Sequence, residues 1–133
     1  MNGRGNAIRV HLLRAQMKIG IVGPCAAGKT TLAGNLSRRG YDAHAIAQEH
    51  SEAQTMWRQM TDPDLLIYLE ASLETICARL NVRWEQSYVD EQVRRLSDAR
   101  AHADFVLATD ELSREQVVAR VVEFLQDSSV SPH

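Results

Sequence analysis

Gly23-Pro24-Cys25-Ala26-Ala27-Gly28-Lys29-Thr30, near the start of this 133-residue chain, spells G-x-x-x-x-G-K-[ST]. Its flanks give it meaning. Before it, Met17-Lys-Ile-Gly-Ile-Val22 is a short apolar run that predicts a strand, and after it Thr31 to Arg39 predicts a helix stopped by Gly40. Strand, tight loop and helix follow one another without a spacer.

The residue types in the loop suit one task. To hold phosphate oxygens, successive backbone N–H groups must point into a single concavity, and Gly23 and Gly28 permit the dihedrals and close approach that a side chain would block. The start of the following helix adds its partial positive charge. Lys29 is placed to reach the β- and γ-phosphates, and the Thr30 hydroxyl to ligate a magnesium ion that bridges them. Thr31 is a further candidate, for the α-phosphate. The alternative is a glycine-containing strand-to-helix turn that matches by accident.

Composition bounds the rest. The length suits one domain, and the net charge of −2 gives no electrostatic case for nucleic acid or an anionic membrane. Cys25 and Cys77 lie too far apart for a C-x-x-C pair, so neither a zinc motif nor a disulfide framework is indicated. Cys25 reads either as an oxidisable thiol at a helix start or as a small side chain that fits. No apolar run approaches a membrane span and no secretory pattern is present, so the expected compartment is the cytoplasm.

Along the chain, residues 1–16 carry three arginines and no acid, and read as a loosely ordered extension, with Met17 a candidate start. Tyr41 to Ala47 predicts a second strand. Ser51-Glu-Ala-Gln54 fits a capping box ahead of a helix packed through Ala53, Met56, Trp57 and Met60. Leu65 to Leu69, apolar on both faces, predicts an interior strand of a parallel sheet. Ser72 caps a helix with Leu73, Ile76, Cys77 and Leu80 on one face. One helix is expected from Val89 to His102, packing through Val89, Val93, Leu96 and Ala103; a last strand spans Asp104 to Thr109. Ser113-Arg-Glu-Gln116 is another capping box, its helix running through Val121 and Leu125, and residues 127–133 read as a disordered tail. Strands alternating with helices predict an α/β protein: a three-layer α/β/α sandwich with a parallel sheet of four to five strands. The loop, Glu49, His50, Glu70 and Thr109-Asp110 then gather at one sheet edge.

With these residues and flanks the chain resembles P-loop nucleoside-triphosphate-binding proteins, which implies their fold and ATP with Mg2+ as ligands. Gly23, Pro24, Cys25, Ala26, Ala27, Gly28, Lys29, Thr30 and Thr31 are then the nucleotide-binding set. A GTPase reading would require an N-K-x-D guanine reader, and no lysine follows Lys29. The run LLIYLEASLETICARL, Leu65 to Leu80, resembles the segment that precedes the lid of nucleoside and nucleotide kinases. That resemblance implies that Arg79 and Arg83 are lid arginines, neutralising charge as a phosphoryl group moves. HADFVLATD, His102 to Asp110, is similar to the last strand of those kinases, whose following loop lies near the adenine. The likeness spans residues 17–126, but the longer middle region of those kinases, with its metal-strand Asp and acceptor-binding insert, has no counterpart.

Two carboxylates compete for the missing role. Glu49 stands where small-molecule kinases such as shikimate kinase keep an acid that orients or deprotonates an acceptor hydroxyl. Glu70 closes an apolar strand like the acid that holds magnesium, with Thr30 as the partner ligand. Each also reads as a solvated residue at a strand end, His50 as a proton carrier or a surface histidine, and Trp84 and Tyr88 as a base stack or packing. The implied function is a small ATP- and magnesium-dependent kinase with catalytic Lys29, Glu49, Arg79 and Arg83, acting on a small metabolite or nucleotide. The alternatives are a non-catalytic or vestigial ATP-binding regulatory module and a slow ATPase acting with a partner.

Overall fold

The computed structural model describes residues 17–130; the expectations for residues 1–16 and 131–133 lie outside them. Four strands, β1 (Lys18–Val22), β2 (Asp42–Ala45), β3 (Leu65–Glu70) and β4 (Phe105–Ala108), form one all-parallel sheet in the order β2-β1-β3-β4. Among the described residues six α-helices accompany them: α1 (Lys29–Arg38), α2 (Met56–Met60), α3 (Leu73–Leu80), α4 (Gln86–Arg95), α5 (Ser97–His102) and α6 (Arg114–Val130). A 3-10 turn, Gln48–His50, follows β2.

Strand order follows from what each strand can bury. β1 and β3 are apolar on both faces and take the interior, as their sequences predict. β2 reads Asp-Ala-His-Ala and sits at an edge with three of its four residues exposed. Alternation then divides the core between the two sides. Ile19, Ile21, Ile67, Leu69 and Leu107 pack with Leu32 and Leu36 of α1 and Val117, Val118, Val121 and Leu125 of α6. Val22, Leu66 and Tyr68 pack with Trp57 of α2, Leu96 and Ala99. Helices therefore cover both faces, as a three-layer arrangement requires.

Two of the expected caps form. Ser72 Oγ accepts from Thr75 N at 3.3 Å, and Ser113 and Gln116 exchange reciprocal hydrogen bonds of 3.1 and 2.8 Å. The box at Ser51 does not cap a helix. Ser51 Oγ instead accepts from Ala53 N in a local turn, and the helix starts only at Met56. Gln54 cannot reach back because its amide is committed elsewhere, donating to Arg94 O and accepting from Asp98 N and Ser97 Oγ.

Those same contacts break the long helix expected from Val89 to His102. It is divided at Leu96, where φ is −95° and ψ 0°, into α4 and α5. Gln54 and Gln48, the latter donating to Arg95 O at 3.2 Å, supply partners to backbone groups around the break. The buried stripe also differs from the expected one: Val89, Gln92, Leu96 and Ala99 face inward, while Val93 is 43% exposed. Met60 is likewise exposed rather than packed beneath α2. At the end of the chain α6 continues to Val130, into the stretch read as a disordered tail, since no proline intervenes before Pro132.

Leu36 is fully buried between α1 and the sheet. Leu36→Ala is expected to lower unfolding free energy by about 2–5 kcal/mol, read from urea midpoints at unchanged slope; a loss below about 1 kcal/mol would contradict this core assignment.

Candidate functional site

The loop after β1 takes its shape from three left-handed or near-extended positions. Gly23 has φ +153°, and a Cβ there would lie 2.3 Å from Leu69 O of the neighbouring strand. Only glycine lets the loop leave the sheet this closely. Ala26 holds φ at 61° and Gly28, the N-cap of α1, at 102°. Ala27 N donates to Pro24 O, and the first helical bond runs from Leu32 N to Gly28 O. Among the described residues, the N–H groups of Gly28, Lys29, Thr30 and Thr31 have no acceptor in the chain. Four donors thus emerge together at the positive end of a ten-residue helix.

Lys29 does not point outward from that start. Its ammonium donates to Gly23 O at 2.8 Å, Pro24 O at 3.2 Å and Glu49 Oε2 at 2.8 Å. The pair is largely removed from water, with side-chain exposures of 11% and 5%. Glu49 reaches it because β1 and β2 are adjacent and parallel, which sets their C-terminal ends side by side. The 3-10 turn after β2 is fixed by fully buried Gln48, whose side chain donates to Ala53 O and Arg95 O and accepts from Trp57 N. Glu49 Oε1 is buried with no hydrogen-bond partner, which is uncommon for a carboxylate oxygen.

Cys25 and His50 complete the cluster. His50 Nε2 lies 3.4 Å from Cys25 Sγ and 3.6 Å from Glu49 Oε2, and the sulfur is 4.0 Å from the same oxygen. Gln92 of α4 braces the loop, its Oε1 accepting from Cys25 N at 2.9 Å and its Nε2 donating to Cys25 Sγ at 3.4 Å. Gln92 escaped the sequence reading. Its signal was a polar residue three positions after Val89 and four before Leu96, on the stripe that is buried.

The remaining candidates divide. Arg79 joins the loop, its guanidinium donating to Ala26 O at 2.7 Å and to Thr109 Oγ1 and O at 3.2 and 2.9 Å. It lines a cavity of about 510 Å³ that runs from Ala26, Gly28 and Thr31 to Leu112, Val117 and Val118. Arg83 is elsewhere, on an open hollow of about 620 Å³ with Tyr88, Glu91 and Arg95, so the two arginines do not share a cavity. Trp84 and Tyr88 meet each other there, their rings 4.6 Å apart. Thr30 is exposed on the first turn of α1. Glu70 is bound to Arg100 at 2.8 Å, and Arg100 also lies over Tyr68, whose phenol is pushed up to about 12, chiefly by burial.

Asp110 ties two site elements together. Its Oδ1 accepts from Ser72 N at 2.8 Å, and that bond, helped by the Thr75 and Ser72 hydroxyls and the charge of Arg79, holds its carboxyl below the usual range. A depressed carboxyl stabilises the fold above its unfolded value of about 3.9 and loses that contribution as pH falls through the folded value. Asp110→Asn is expected to lower the denaturation midpoint at neutral pH, by a modest amount because the side chain is exposed. The deficit should shrink as pH falls below about 4; parallel wild-type and variant curves across that window would rule the linkage out.

Compared with known proteins, the chain matches no protein-family model and no curated protein sequence.

Proposed function

We propose that the protein binds a nucleoside triphosphate with magnesium and acts as a small phosphotransferase, the phosphates lying on the Gly23–Thr31 loop. The carrying observation is the set of four unpaired N–H groups from Gly28 to Thr31 beside a buried ammonium, with Gly28 and Thr31 also lining a cavity that extends to the apolar Leu112, Val117 and Val118. Donors and cation suit the phosphates, and the apolar end suits a base. In this reading the chain has the P-loop NTPase fold. Thr30 would hold the magnesium ion, whose chemistry is to draw charge from the β- and γ-phosphate oxygens.

Each neighbouring side chain then has a task. Lys29 exchanges a carboxylate partner for phosphate oxygen, and Arg79, already over the cavity, meets the charge that spreads during transfer. Released from Lys29, Glu49 receives the proton of an acceptor hydroxyl at its carboxylate. Arg83 lines a separate hollow and is given no task in this reading.

A second reading, a nucleotide-binding module without turnover, is favoured by Glu70. Its carboxylate is committed to Arg100, leaving it poorly placed to serve the metal shell.

Calorimetry with Mg-ATP tests the shared premise. Wild type is expected to bind, with a higher melting temperature under saturating ligand, and Lys29→Ala to bind at least about tenfold more weakly, a loss of about 1.4 kcal/mol. No heat and no thermal shift with any magnesium nucleotide would end both readings. ADP and phosphorylated product from a metabolite panel, lost in Glu49→Gln while binding persists, would select the enzyme; binding without product would select the module.

A further inference from the structure

The Cys25, Glu49 and His50 side chains are more than furniture around Lys29. We infer that they form a binding site for a thiophilic divalent transition metal, of which Zn2+ is the type, distinct from the magnesium that accompanies a nucleotide. The inference stands on the cluster itself and does not rest on nucleotide binding; with the metal in place Glu49 is a ligand and does not serve as a base.

Three different ligand atoms converge on one small volume. Cys25 Sγ, His50 Nε2 and Glu49 Oε2 are separated by 3.4, 3.6 and 4.0 Å. Tetrahedral zinc, with bonds of about 2.3 Å to sulfur and about 2.0–2.2 Å to nitrogen and oxygen, requires ligand atoms roughly 3.3–3.6 Å apart. Two of the three edges already meet that requirement, and the third needs a few tenths of an ångström. Imidazole, thiolate and carboxylate together are a zinc-type donor set, whereas magnesium and calcium take oxygen.

A hydrogen-bonded relay does not account for the arrangement. In a relay the base uses one ring nitrogen toward the thiol and the other toward the acid. Here the sulfur and the carboxylate both face Nε2 of His50. Convergence on one nitrogen describes a point rather than a chain.

The second observation is the carboxylate. Glu49 is 4% exposed, Lys29 occupies Oε2 at 2.8 Å, and Oε1 is buried without a partner. The oxygen that faces Cys25 and His50 is Oε2, so a metal there shares or replaces the Lys29 contact, while the unpartnered Oε1 leaves the same carboxylate with capacity for a second cation. The supports are also built. Gln92, 1% exposed, donates to the sulfur and fixes the Cys25 backbone, and Gln48 locks the turn that carries Glu49 and His50. On binding, the Cys25 thiol gives its proton to solvent as the sulfur–metal bond forms, and no oxidant or reductant is needed. Three protein ligands leave the fourth tetrahedral position to water.

The test uses the untagged full chain, stripped with chelator and kept reduced, titrated with Co2+ and then with Zn2+ in competition. Expected are one equivalent of Co2+ bound, a thiolate-to-cobalt charge-transfer band, and its loss as Zn2+ displaces cobalt. Cys25→Ser should abolish the band, and His50→Ala, at an exposed side chain, should weaken binding at least about tenfold, since removing even an outer-shell partner costs about 10–100-fold. Cys77→Ser should change neither. Circular dichroism confirms that each variant is folded, and His50→Ala decides the matter if Cys25→Ser is not. Absence of stoichiometric binding, a band that survives Cys25→Ser or disappears with Cys77→Ser, or full affinity in folded His50→Ala would each overturn the site.

Discussion

A buried ammonium must be surrounded by oxygen, and the upper edge of this sheet is laid out to provide it. Lys29 sits one residue past the N-cap of α1, and its three acceptors come from the loop's own carbonyls and from the turn after β2. For the loop carbonyls to be there, Gly23 must pass under Leu69 O at a distance no Cβ allows. For Glu49 to be there, β2 must lie beside β1 in parallel. Local backbone freedom and sheet order are thus joined through one charge.

Glutamine amides do the fixing that apolar packing cannot. Gln48 and Gln92 are as buried as the core leucines, and each uses both ends of its amide. Gln48 ties the turn to α2 and to the end of α4; Gln92 ties α4 to the loop. Satisfied buried amides specify a geometry because any shift leaves a donor or acceptor unpaired. The consequence is that Cys25, Lys29, Glu49 and His50 are positioned jointly by three separate segments, the loop, the turn after β2 and α4.

What the sequence disclosed and what it hid follow the same line. Strands β1 and β3, the loop, and the caps at Ser72 and Ser113 were legible because each is decided by residues within a few positions. Adjacency of Glu49 to Lys29 was foreseeable only as a shared sheet edge. The break at Leu96 and the failed box at Ser51 were not legible, because both depend on Gln54 bonding to backbone 40 and 44 residues away in sequence. Arg83 and Glu70 were assigned by likeness to kinases, and in this fold one lines a different hollow and the other is spent on Arg100. Exposed arginines find carboxylates wherever the packing supplies them, and sequence spacing does not tell which.

The Lys29–Glu49 pair is also a poor choice if stability alone were at stake. Desolvating two charges costs several kcal/mol per ion, about what their attraction returns, and an apolar pair of similar volume is often neutral or better. The orphaned Oε1 adds a further cost of about 1–3 kcal/mol. Nearby Cys25 and His50 add polar atoms to the same small space without satisfying that oxygen. Among the described residues the other buried polar side chains are paired, as Gln48, Gln92 and Thr109 show. The unsatisfied oxygen is thus confined, among the described residues, to one cluster, and stability alone does not account for it.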